Sequence, residues 1–83
     1  MRAEGDSKVW LLGFKTEGSE APAIYNKGSW VELLGGYFYA TDGIPSTPWI
    51  INENGKLSAS YKLGDPSPPV HIRDIRGTDT REF

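Results

Sequence analysis

Turn-forming residues interrupt this chain about every six to twelve positions, and between them no stretch longer than about seven residues keeps an apolar period of 3.6. An amphipathic helix needs that period over several turns, whereas a short strand needs only a few alternating side chains. The spacing therefore predicts an all-β chain: a small antiparallel barrel or sandwich of about six short strands, with extended N- and C-terminal arms. No internal repeat and no low-complexity tract is expected.

Residues 8–15 (KVWLLGFK) form the first expected strand; apolar residues on both faces suit a central or covered position. Glu17, Gly18, Ser19, Glu20, Ala21 and Pro22 break it. A short strand at 23–25 and a turn at 26–29 lead into 30–34. The pair Gly35-Gly36 is then expected to return the chain as a two-residue hairpin into 37–41, completing a three-stranded meander. Pro45 and Pro48 cannot donate to a ladder and make 42–48 a loop. Strands at 49–53 and 56–63 flank Asn54-Gly55, the strongest short hairpin signal in the sequence. In domain terms, 1–7 is an N-terminal arm, 8–63 the β-domain, 64–69 (GDPSPP) a stiff spacer, and 70–83 a C-terminal strand and arm.

An 83-residue chain buries only roughly 60–65% of the surface its unfolded form exposes, so its stability is marginal. There is no cysteine, and with it go disulfides and thiolate zinc sites. Three tryptophans, four tyrosines and three phenylalanines compensate in part, since each buried ring removes about 150–250 Å² from water. The apolar run at 9–12 is too short for a signal-peptide core or a membrane span, and a soluble protein with no membrane partner is expected. Nine basic and eleven acidic side chains leave a formal charge of −2, and Arg73, Arg76 and Arg81 are interleaved with Asp74, Asp79 and Glu82. The clustered positive surface that a nucleic-acid binder uses is missing.

Reactive chemistry is equally thin. His71 is the only histidine, and no serine sits in a Gly-x-Ser-x-Gly context. Glu32 is the one carboxylate set in an apolar strand, where it reads as a solvent-facing alternate position. Calcium-loop, phosphate-loop and dinucleotide motifs do not occur. The expectation is a non-enzyme with no catalytic residues, no metal and no cofactor.

What stands out is the aromatic excess. On a strand Tyr37 and Tyr39 share one face while Phe38 takes the other, so one aromatic face needs cover beyond the small core. Trp30, Tyr37, Tyr39, Asp42 and Trp49 are candidates for binding or interface, with Arg73, Arg76 and Phe83 on the C-terminal arm. A β-domain with arms and a spacer resembles in style the small phage virion proteins, such as capsid decoration, neck or tail-fibre subunits. The likeness rests on no family motif, and it implies a structural role in a homo-oligomer or larger assembly, located in the virion. The other reading is a binding module for a glycan or a peptide laid over the aromatic rings.

Overall fold

The computed structural model describes residues 1–17, 22–41 and 43–83. Among them nine strands form: β1 (Arg2–Glu4), β2 (Lys8–Leu12), β3 (Lys15–Glu17), β4 (Ile24–Lys27), β5 (Trp30–Tyr39), β6 (Ile50–Glu53), β7 (Lys56–Leu63), β8 (Ile72–Arg76) and β9 (Asp79–Glu82). The all-β expectation holds, but the expected barrel or sandwich of about six antiparallel strands is replaced by two largely parallel sheets. The first runs β1-β4-β6-β8-β9, and in the second β5 lies between β2 and β3 on one edge and β7 on the other. Each circuit of the chain places one strand in the first sheet and one run in the second, then returns one strand position further along. The result is a short β-solenoid.

An internal repeat is therefore present, contrary to expectation, with a period of about 22–26 residues. Val9, Leu11 and Leu12 pair with Val31, Leu33 and Leu34, and each run ends on a glycine. Ile24, Ile50 and Ile72 stack in one column, each two residues before Asn26, Asn52 or Asp74. The repeat keeps the inward positions because a solenoid core is built by stacking like on like. Each buried isoleucine or leucine in such a column stabilises the fold by about 1.5–3 kcal/mol.

At the corner between the sheets the inward column turns polar. The Asn26 side-chain amide donates to Ser29 O at 2.9 Å and to Asn52 Oδ1 at 2.7 Å, and accepts from Ser29 N at 3.1 Å. Asn52 in turn donates to Gly55 O at 3.0 Å and to Asp74 Oδ1 at 2.8 Å. This ladder of amides runs up the interior and closes each corner by capturing its own backbone, so the desolvated groups are partnered. No buried side-chain nitrogen or oxygen among the described residues lacks a hydrogen-bond partner. Gly55 packs against the ladder: a Cβ there would fall 2.7 Å from Ser29 O and 2.9 Å from Asn52 Oδ1.

These corners explain why the expected hairpins fail. Asn54-Gly55 joins β6 in one sheet to β7 in the other, with Asn54 at φ 52°. It turns the chain by a corner, not through a reversal. Gly35-Gly36 is no turn at all, because β5 passes straight through it. Gly35 takes φ 76° and the pairing with β7 shifts between Leu34 and Gly36, a bulge that lets Val31, Leu33 and Phe38 all point inward. One coil earlier Gly13, at φ 66°, divides the expected 8–15 strand into β2 and β3.

The terminal segments lie in the first sheet and do not extend from it as arms. β1 pairs with β4, Ala3 is buried, and the Met1 ammonium donates to Ala23 O at 2.7 Å. At the other end β9 folds back antiparallel on β8. The proline-rich 64–69 stretch is the loop that closes the third coil, held by Ala40 N to Pro66 O at 2.9 Å and by Trp49 Nε1 to Ser67 Oγ at 3.1 Å. Above it Trp49 stacks on Phe38 at 5.8 Å, with Phe14 and Tyr61 tilted against the same ring.

Candidate functional site

Strand alternation gives each sheet an outer face, and the two outer faces differ. On the first sheet charges are matched: Arg2 binds Glu4 at 2.7 Å, Lys27 lies 3.9 Å from Glu53, and Arg73 binds Glu82 at 3.0 Å. The hydrogen bond from Arg2 holds the Glu4 carboxyl below its usual range. Tyr25 donates to Glu53 at 3.1 Å, which raises its hydroxyl pKa, and Arg2 lies 4.4 Å over its ring. Neighbouring side chains pair these charges on that face.

The outer face of the second sheet carries the aromatic and aliphatic excess. Its columns across coils one to three read Lys8–Trp30–Lys56, Trp10–Glu32–Ser58, Leu12–Leu34–Ser60 and Lys15–Tyr37–Lys62. Trp30 lies between two lysines, with Lys8 Nζ 4.8 Å and Lys56 Nζ 5.6 Å from its ring centroid. Tyr37 and Tyr39 share a face and meet at 5.1 Å, with Lys15 Nζ 5.8 Å over the Tyr39 ring. Between these groups Trp10 is 61% exposed, Leu12 76% and Leu34 48%. They form one uncovered apolar patch on adjacent strands, with Glu32 as the carboxylate at its centre.

The structure thus divides the expected site residues. Trp30, Tyr37 and Tyr39 lie on this face. Trp49 does not: it is fully buried and acts as the centre of the core. Arg73 is paired on the outer face of the first sheet, while Arg76 binds Asp74 at 3.3 Å and, with Phe83, lines the opening at the C-terminal end of the stack. Asp42 lies outside the described residues. His71 is half-buried and engaged through its backbone, its carbonyl accepting from Ile50 N at 3.1 Å. Among the described residues no group of three or more histidine, aspartate or glutamate side chains converges, and no helix is long and apolar enough to cross a membrane.

Sequence reasoning missed Trp10, Leu12 and Leu34. Leu12 and Leu34 stand at the same place in two copies of the Val-x-Leu-Leu-Gly run, so the repeat itself was the available signal. Compared with known proteins, the chain matches no family model, no curated protein and no solved structure.

Proposed function

We propose that this chain is a non-enzymatic assembly subunit: a β-solenoid module that docks onto copies of itself or onto a larger scaffold. The observation that carries the reading is the patch of Trp10, Leu12 and Leu34, uncovered on a domain whose other outer face is charge-matched. An exposed apolar cluster costs solubility and marks a surface that gains by being covered. The flatness of a parallel stack suits a broad contact, and the lysines at its borders supply a polar rim. The setting proposed for such a subunit is a phage particle, as capsid decoration, neck or tail-fibre protein. Replacing Leu12 and Leu34 together by lysine is expected to weaken docking by roughly 100-fold with little change in the melting temperature, because truncation of central apolar contacts typically costs 2 kcal/mol or more. Scaffold pull-down, or sedimentation of species larger than a dimer, checks this; docking of undiminished strength moves the contact elsewhere.

A glycan-binding reading keeps one specific support, the pair of an exposed Tyr37 and a half-buried Tyr39. It loses Trp49 to the core, and the lysines on either side of Trp30 occupy the positions where a sugar would stack. Titration with neutral glycans, followed by NMR shifts at Tyr37 and Tyr39, separates the two readings. Saturable shifts favour the glycan; unchanged spectra favour assembly.

A further inference from the structure

The two sheets end at different heights. The first continues through β8 and β9, whereas among the described residues the second stops at β7. Two strand positions, about 9.6 Å at roughly 4.8 Å each, are thus open opposite β8 and β9. The opening is a cavity of about 300 Å³ lined by Leu57, Ala59, Ile72, Asp74, Arg76 and Phe83, together with Asn52. Leu57, Ala59 and Ile72 point into the solenoid interior yet stay half-buried, and Phe83 is 64% exposed. Two strand edges face this end without a strand partner among the described residues: the far edge of β7 and the far edge of β9.

We propose that this end is a two-fold interface between copies of the chain, in which the β8–β9 ribbon of each copy fills the two open strand positions of the other. The counts match, since each copy lacks two strands in one sheet and offers two in the other. A two-fold axis running along the strands, between the facing ribbons, places β9 of each copy beside β7 of its partner, so both open edges are paired by one contact. Continuation of the solenoid head to tail is sterically closed. A second copy that set its β2 beside β7 would need to place its β1 where β8 already lies.

Charge supports the same occupant. Antiparallel partners share a face, so the ribbon's inner face carries Ile72 beside Phe83, Asp74 beside Arg81, and Arg76 beside Asp79. Each charge on it stands beside its opposite, and its apolar pair sits at one end. Two such faces can meet without leaving a buried charge unmatched, which is the condition that lets charged groups enter an interface at all. The partner's Phe83 then lies over the interior side chains Leu57, Ala59 and Ile72.

Sedimentation equilibrium of the full chain tests this. The expected result is a species of twice 9.2 kDa, whose dissociation constant rises by roughly 100-fold in each of Phe83→Glu and Ala59→Arg but not in Leu12→Lys. Hydrogen exchange on the unaltered chain supplies a measurement free of folding defects: amides of β7 should gain protection as concentration rises. A monomer at every concentration overturns the proposal, as does exchange in β7 that ignores concentration. Association lost in Leu12→Lys yet kept in Phe83→Glu also overturns it, and assigns the contact to the outer face of the second sheet instead.

Discussion

Asn52→Leu is expected to remove a large part of the folding stability at room temperature. The substitution keeps the branching of the side chain but puts bulkier methyl groups where the amide was, so lost hydrogen bonding and crowding act together. Asn52 is 1% exposed and connects three coils: it accepts from Asn26 at 2.7 Å, donates to Gly55 O at 3.0 Å and donates to Asp74 at 2.8 Å. A leucine leaves the Gly55 carbonyl and the Asp74 carboxylate without that donor and the Asn26 amide with one acceptor fewer. At about 1–3 kcal/mol for each buried group orphaned, the loss reaches roughly 3–5 kcal/mol. A chain of this length has about 4–12 kcal/mol in all. Urea unfolding followed by far-ultraviolet circular dichroism measures the effect; a loss below about 1 kcal/mol would mean that the ladder is ornamental to the fold.

Trp49→Ala is expected to be of similar size for a different reason. The ring is wholly enclosed, stacks on Phe38 at 5.8 Å and donates to Ser67 at 3.1 Å, thereby tying the closing loop of the third coil to the core. Its removal opens a cavity at the point where both sheets meet, and large-to-alanine changes of this kind cost about 3–5 kcal/mol. Trp49→Phe retains most of the volume and loses the hydrogen bond, so it should fall between the alanine variant and the unaltered chain. Thermal unfolding of the pair checks the order. If Trp49→Ala left stability intact and removed binding of a ligand, the ring would belong to a site and not to the core.

The places where strands form were legible in the sequence. The expected stretches at 8–15, 30–34, 49–53 and 56–63, and the strand expected within 70–83, all overlap strands of the structure. Their partners were not legible, because alternation states that a residue faces inward and says nothing of which strand lies beside it. Asn54-Gly55 shows the ambiguity well. A residue with φ near +52° followed by glycine suits a hairpin, and it suits equally a solenoid corner capped by the Asn52 side chain. The distinguishing signal was Ile-x-Asn at 24 and 50, echoed by Ile-x-Asp at 72. Unequal loops hide that repeat, since the columns recur after 26 residues and then after 22. Only inward positions must match from coil to coil, so most of the sequence is free to differ.

For the candidate site, the shared face of Tyr37 and Tyr39 followed from alternation alone. Trp49 could not be placed in the core from its neighbours, because its burial depends on Phe38 and on a loop fifteen or more residues away in sequence, about the range where local patterns fall silent. The strand that carries Trp10 was expected in a central or covered position because it is apolar on both faces. Its outward face is covered by none of the described residues, which is the reason for reading the domain as one part of a larger body.

The mass of the native species that carries this chain tests that reading most directly. The account predicts a particle several times heavier than 9.2 kDa, containing more than one polypeptide, with Trp10 and Leu12 shielded from solvent label. A species of 9.2 kDa, with both residues labelled freely at every concentration, would contradict it.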